Sequence, residues 1–405
     1  MADKRLLILD DDLMVGGTIA LIAESAGWDC KATDEPHLFF SLLEAWQPTH
    51  IVLDLVMPKM DGVEVMVELS RRACSAQIII SSGVGSRVLD AASRSAAEHD
   101  LNIVGILSKP FKPSLLHALL NLDVSAGARK LIGLATGQSF GLGTGSDEGA
   151  VCEVELSRAI EQGELFLVYQ PKINCVTNAP VGFEALVRWR HPRRGLIMPN
   201  DFIPLAERSG LIEPLTDMVV EKSLSWFAAH FAGGDMQLSI NISAINLKNL
   251  LLADRMAAQC ARLGMAPGNL ICELTETSTM EDPVASLDLL TRLRLKGFLL
   301  SIDDFGTGFS SMLQLVRLPF SEIKIDKSFV MTALQSAESR AVIRSVVELG
   351  QSLSLSTSAE GVEQPRVLEF LRSIGCERAQ GYLIARPMEP ATALDWYYDH
   401  QIARV

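Results

Sequence analysis

The chain has 405 residues, 48% of them hydrophobic, and a formal net charge of −13. That is enough apolar material for the cores of two or three domains at roughly 100–200 residues each. The acidic balance argues against a general DNA or RNA binder, because binding those polymers rests on Lys and Arg neutralising many phosphates.

From Arg5 to about Leu122, short apolar runs alternate with helical patterns: Leu6–Leu9, Trp28–Ala32, His50–Leu53, Gln77–Ser81 and Ile103–Leu107. Five strands alternating with helices predict a doubly wound parallel α/β sheet over residues 1–123, with ligands at the carboxyl ends of its strands. A Gly/Ser/Thr-rich linker, 124–150, follows, and its composition favours a flexible connection. Residues 151–405 restart the alternation, with strand candidates Leu165–Gln170, Val181–Trp189, Gln237–Ser243, Leu270–Thr275, Phe298–Asp303, Glu322–Lys327, Leu355–Glu360 and Ala379–Ala385. Helical patterns separate them. One has Asp282 as N-cap, Pro283 in its first turn and Gly297 after its last; another runs Asn246–Leu263 and stops at Gly264. Eight strands in about 250 residues predict a (β/α)8 TIM-like barrel.

The seven cysteines are scattered, with no CxxC pair, which speaks against a disulfide framework or zinc site and fits a reducing cytosol. No apolar run approaches the ~18 residues of a membrane helix, and Met1–Arg5 leads directly into a strand-like run rather than a signal peptide. The expectation is a soluble, cytoplasmic protein that binds neither DNA nor membrane.

In a barrel of this kind chemistry sits where strands end. Read in order, those ends offer Glu184, Asn241, Glu273, Asp303 with Asp304, Lys324 with Asp326, Glu360 and Gln380. A buried carboxylate is costly unless paired or metal-bound. Each could pair with a nearby Arg or Lys, but local basic partners are too few for the whole set. The donors are carboxylate and amide oxygens without His or Cys, which suits Mg²⁺ or Mn²⁺ rather than Zn²⁺. A doublet such as Asp303–Asp304 can bridge two ions, which together activate a water and stabilise the leaving oxygen of a phosphodiester. Two motifs carry less. Gly233-Gly234-Asp235 reads as a helix C-terminal turn, and His191 as a structural residue.

The run Gly182-Phe183-Glu184-Ala185-Leu186-Val187-Arg188-Trp189 resembles the defining motif of EAL-type cyclic-di-GMP phosphodiesterases. Tyr169-Gln170-Pro171, Asn241-Ile242-Ser243, Glu273-Leu274-Thr275-Glu276, Asp303-Asp304-Phe305-Gly306-Thr307-Gly308, Ile323-Lys324-Ile325-Asp326, Ala359-Glu360-Gly361-Val362-Glu363 and Gln380-Gly381-Tyr382 follow that family's order. The resemblance implies hydrolysis of cyclic di-GMP to linear pGpG with two Mg²⁺ or Mn²⁺ ions. It implies Glu184, Asn241, Glu273 and Asp303 around one ion, and Asp303, Asp304 and Glu360 at the second. Glu360 and Lys324 would position the attacking water, supported by Gln380. Gln170 and Arg188 would contact substrate, and Glu276 would anchor the loop after Asp304.

The first sheet has its own acidic strand ends: Asp10 and Asp11, Asp54, Ser82 and Lys109. Three carboxylates invite one Mg²⁺, and a Lys and a hydroxyl can receive a phosphoryl group on one Asp. With Leu53-Asp54-Leu55-Val56-Met57-Pro58-Lys59-Met60-Asp61-Gly62, the block resembles a flavodoxin-like two-component receiver domain. The resemblance implies Asp54 as phospho-acceptor, Asp10 and Asp11 as ligands of one Mg²⁺, Ser82 and Lys109 as phosphoryl contacts, a cognate histidine kinase, and a homo-oligomer. Ile106 stands where receivers carry an aromatic residue that reports phosphorylation. An alternative reading is a catalytically silent cyclic-di-GMP receptor acting as a binding module.

Overall fold

The structure is a computed structural model that describes residues 4–83, 85–121, 151–275, 283–306 and 312–402. The chain divides into two compact units, Met1–Ala150 and Val151–Val405, each taken by itself below.

The first unit is a parallel five-stranded sheet: β1 (Arg5–Leu9), β2 (Asp29–Thr33), β3 (His50–Asp54), β4 (Gln77–Ser82) and β5 (Asn102–Ser108), in the order β2-β1-β3-β4-β5. Leu6, Leu7, Ile8 and Leu9 are all fully buried. A continuous apolar run suits a parallel strand covered by helices on both faces. Ile19, Val52, Ile79, Leu107 and Leu116 belong to one core cluster. The helix Gly62–Arg71 starts where Asp61 accepts a hydrogen bond from the Glu64 amide at 3.0 Å, closing its first turn. The sheet predicted from the apolar runs is the one observed.

The second unit is a closed barrel. Its strands are β6 (Leu165–Asn174), β7 (Pro180–His191), β8 (Gly195–Ile197), β9 (Gln237–Asn241), β10 (Leu270–Thr275), β11 (Leu299–Phe305), β12 (Glu322–Ile325), β13 (Ser356–Ala359) and β14 (Arg378–Ala379). The sheet order is β6-β14-β13-β12-β11-β10-β9-β7-β8, and pairing of β6 with β7 closes an eight-stranded ring from which β8 extends as a hairpin. The TIM-like expectation holds with two differences. No helix separates the first two strands: β6 and β7 are an antiparallel hairpin, and β6 is antiparallel to β14 as well. The hairpin turn is built by Asn174, whose Oδ1 accepts from the Val176 and Thr177 amides at 2.9 Å, and by Asn178 at φ 55°. The last strand is also shorter than predicted, ending at Ala379, because the chain turns at Gly381. The expected N-cap Asp282 lies outside the described residues.

Alternation along the barrel strands is pronounced. Leu238 and Ile240, Cys272 and Leu274, Leu300 and Ile302, Ile323 and Ile325 are buried apolar positions. Alternating with them are Ser239, Glu273, Ser301, Glu322 and Lys324, buried but polar: Ser301 donates to Glu322, Lys324 donates to Glu273, and Lys172 of β6 donates to both Ser239 and Glu273. Successive strand side chains point to opposite faces. The apolar set therefore faces the surrounding helices and the polar set fills the barrel interior, where TIM barrels usually pack branched apolar residues.

Candidate active site

A cavity of about 1100 Å³ opens at the barrel mouth, lined among others by Gln170, Glu184, Arg188, Asn241, Asp303, Asp304, Glu360 and Gln380. Glu273 and Lys324 are fully buried and reach the mouth residues from within. Lys324 is the hub. Its Nζ lies 2.5 Å from Glu360, 2.6 Å from Glu273, 3.1 Å from Asp303 and 3.9 Å from Glu184. Basic partners are few for so many acids: a single lysine serves four carboxylates.

Glu184 sits mid-strand on β7. Its Oε1 accepts from Asn241 Nδ2 at 2.9 Å and its Oε2 from Gln380 Nε2 at 2.7 Å. Gln380 also donates to Gln170 Oε1 at 3.0 Å, while Gln170 Nε2 donates to the Ala385 carbonyl at 3.0 Å. Two glycines allow this packing. A Cβ at Gly182 would stand 2.3 Å from the Gln237 carbonyl oxygen on β9, and one at Gly381 would stand 2.2 Å from the Val362 nitrogen.

Asp303 and Asp304 are neighbours in β11, and regular pleating would send them to opposite faces. The β11–β12 register shifts between Ile302 and Phe305, and Asp304 adopts φ 55°. This local irregularity re-aims the pair, so that carboxylate oxygens of Asp303, Asp304 and Glu360 lie within 4.8 Å of one another. Asp tolerates the left-handed region better than most residues. Gly306, at φ 100°, continues the turn. Thr307–Ser311 and Glu276, the expected loop and its anchor, lie outside the described residues.

Burial, followed by the charges of Asp303 and Glu184, pushes the Glu360 carboxyl up to about 8 against the pull of Lys324. Burial and Asp303 push Asp304 up to about 6. Burial would also raise Glu273, but Lys172 and Lys324 outweigh it and hold that carboxyl below the usual range. Two acids crowded enough to resist ionisation, Asp304 and Glu360, in a site whose donors are oxygens only, fit hard divalent cations.

The sequence reading missed Lys172. It follows Gln170 by two residues, hence on the same face of β6, and its Nζ lies 2.5 Å from Glu273 Oε1 and 2.8 Å from Ser239 Oγ. A lysine in the run Val168-Tyr169-Gln170-Pro171-Lys172-Ile173 was the available signal. His191 is structural, its Nδ1 accepting from the Arg193 and Arg194 amides at 3.1 Å. Gly233, at φ 81°, follows the helix Ile212–Phe231 as read.

In the first unit, Lys109 Nζ stands 2.9 Å from both Asp10 Oδ2 and Asp54 Oδ2. Oxygens of Asp10, Asp11 and Asp54 come within 4.8 Å of one another at adjacent strand ends. Burial raises the Asp54 carboxyl despite Lys109. Ser82 is fully buried at the end of β4.

An acidic pocket at the switch point of a doubly wound sheet in the first unit, and an acidic barrel mouth in the second, are the arrangements of a receiver and of a phosphodiesterase-type barrel. The response regulator receiver domain matches residues 6–121, and the EAL domain matches residues 153–387. The chain belongs to the EAL family and carries a receiver domain. It is 31% identical over 402 residues to the cyclic di-GMP phosphodiesterase RocR of Pseudomonas aeruginosa, covering 98% of this chain and 99% of that one. It is 41% identical over 242 residues to the bifunctional diguanylate cyclase/cyclic di-GMP phosphodiesterase MucR of the same organism, covering 59% of this chain and 35% of that one. The chain spans about a third of the length of several such relatives. Among solved structures, the PaMucR phosphodiesterase in complex with c-di-GMP matches with TM-score 0.57 and 40% identity, over 59% of this chain and 98% of that one. The EAL enzyme Bd1971, bound to cAMP and cyclic di-GMP, matches with TM-score 0.57 and 31% identity, over 60% and 68%. Phosphodiesterases of this family use divalent metal ions. Among the described residues, no helix is long and apolar enough to cross a membrane.

Proposed function

We propose that this protein is a cytoplasmic response-regulator phosphodiesterase that hydrolyses cyclic di-GMP to linear pGpG, under control of Asp54 phosphorylation by a histidine kinase, and that it works as a homo-oligomer. The observation that carries the proposal is the Asp303, Asp304 and Glu360 cluster, gathered above Lys324 in a mouth also lined by Glu184 and Asn241. Full-length similarity to a cyclic di-GMP phosphodiesterase supports it.

In this reading Glu184, Asn241, Glu273 and Asp303 hold one ion, and Asp303, Asp304 and Glu360 the second, as Mg²⁺ or Mn²⁺. When bound, such ions supply Lewis acidity and a water acidified toward neutral pH. The protein's own groups do the rest. Glu360, placed at the mouth 2.5 Å from Lys324, takes the proton of the attacking water. Oxygen adds to phosphorus, the bond to the 3′-oxygen breaks, that oxygen takes a proton from solvent, and Glu360 returns the proton it accepted to solvent. Lys324, held among carboxylates, stabilises charge developing on the phosphoryl oxygens. Gln380 and Asn241 fix both oxygens of Glu184. Arg188 lines the mouth and offers a planar fork for phosphate, and Gln170 shapes the same wall. In the receiver, Asp10 and Asp11 bind one Mg²⁺, and Ser82 and Lys109 meet the phosphoryl group on Asp54.

The test is turnover of cyclic di-GMP by purified full chain with Mg²⁺ or Mn²⁺, with and without a small phosphodonor. Cleavage to pGpG is expected. Uncut substrate under every metal and phosphorylation state would sink the proposal, and tight binding without cleavage would make the protein a silent receptor.

A further inference from the structure

Lys172 takes no part in the chemistry above, yet it is 2% exposed and its ammonium ends inside the barrel. Burying a long charged side chain is costly in hydration and rotamer freedom. Replacing a buried ion pair with apolar side chains is often neutral or better for stability, so the pair with Glu273 is not explained by folding alone. Its geometry is specific. Lys172 meets Glu273 Oε1 at 2.5 Å, while Lys324 meets Oε2 at 2.6 Å. Each oxygen of one fully buried carboxylate therefore faces its own ammonium. Lys324 is shared with Asp303, Glu360 and Glu184, whereas among the described residues Lys172 is bonded only to Glu273 and the neutral Ser239 hydroxyl, with the charges of Glu322 and Glu184 nearby.

We propose that Lys172 is a resident counter-cation of the metal site, a positioning residue that acts through Glu273. It holds the ligand carboxylate in place before any metal arrives, so that the acidic interior folds without divalent ions. Its fixed positive charge then opposes the incoming cation and tempers metal affinity. The inference rests on the metal-site reading above. A residue that only packs would stabilise the metal-free and metal-loaded barrels alike. A counter-cation stabilises the metal-free barrel more, and linkage requires that the difference reappear as tighter metal binding once it is removed.

The experiment compares full-length wild type, Lys172→Met and Lys172→Gln by thermal melting in EDTA and in saturating Mn²⁺, and by calorimetric Mn²⁺ titration. Lys172→Gln keeps a donor for Ser239 without the charge, and serves if the Met variant folds poorly. Both variants are expected to lose more melting temperature in EDTA than in Mn²⁺, and to bind Mn²⁺ roughly tenfold more tightly or better. Adding Glu273→Gln to Lys172→Met should recover part of the melting temperature lost in EDTA, because the carboxylate oxygen left without its ammonium is gone. Equal losses in EDTA and Mn²⁺ with unchanged or weaker Mn²⁺ binding would overturn the inference. Wild type that binds no Mn²⁺ would instead overturn the metal reading on which it rests.

Discussion

Glu360→Gln separates the stability of the acidic mouth from its chemistry. Burial and neighbouring acids raise the Glu360 carboxyl from 4.5 to about 8. At about 1.4 kcal/mol per pKa unit, ionising it inside the fold costs at most about 5 kcal/mol. The side chain is 18% exposed, so screening leaves about 3 kcal/mol. The sign follows from proton counting. Between pH 4.5 and 8 the folded chain holds a proton that the unfolded chain has lost, so metal-free stability falls as pH rises through this window. Glutamine does not titrate. The variant's advantage in EDTA should therefore grow between pH 6 and pH 9 by about 2 kcal/mol, or roughly 4–8 °C of melting temperature for a domain of this size. Turnover with Mn²⁺ should meanwhile drop about 10²–10⁴-fold, as loss of a general base predicts. Melting curves of both proteins at three pH values, with turnover on the same samples, check both. A variant whose advantage stays constant from pH 6 to pH 9 would refute the assignment of a crowded, proton-retaining Glu360.

Gln380→Ala removes the donor to Glu184 Oε2 and to Gln170 Oε1. Mn²⁺ titration should show metal affinity or turnover weakened about 10–100-fold with little change in EDTA melting. Gly182→Ala places a Cβ 2.3 Å from the Gln237 carbonyl oxygen in the β7–β9 seam. It should destabilise the barrel by about 2 kcal/mol or more, read as a lower denaturation midpoint with an unchanged slope.

The elements were legible because strand and helix periods differ. Runs such as Leu6–Leu9, and the alternation in Gln237-Leu238-Ser239-Ile240-Asn241, mark buried strands directly. The residues of the mouth were legible as acids at strand ends. What brings them together was not. Asp303 and Asp304 converge only through a register shift and a left-handed Asp304, and no residue pattern announces a bulge that two acids share. The hairpin between β6 and β7 was readable in principle, since Asn174 and Asn178 bracket a turn. The regular barrel pattern, in which a helix follows every strand, conceals it. Lys172 escaped notice because an isolated lysine in a strand usually reaches solvent. Only the closed ring, with β6 reversed, turns that face inward onto Glu273.

The receiver raises the remaining question of how a phosphoryl group on Asp54 would be sensed with Ile106 at the aromatic position. Ile106 is half-buried on β5, opposite Ile80. Its β-branched side chain has restricted χ1 freedom and no polar end to follow a moving hydroxyl. The backbone offers another route. Lys109, which bridges Asp10 and Asp54, donates its amide to the Ser82 carbonyl at 3.0 Å, and Ser82 pairs with Ser108 across β4 and β5. Phosphorylation adds roughly 1.5–2 negative charges with strong acceptor oxygens. A phosphoryl group that draws on Lys109 and the Ser82 hydroxyl therefore pulls both strand ends at once. Ser82→Ala should shrink the phosphodonor-dependent change in turnover, Asp54→Ala should abolish it, and Ile106→Val should leave it within error. If Ile106→Val removes the response while Ser82→Ala spares it, the signal runs through side chain 106 and the strand-end route is wrong.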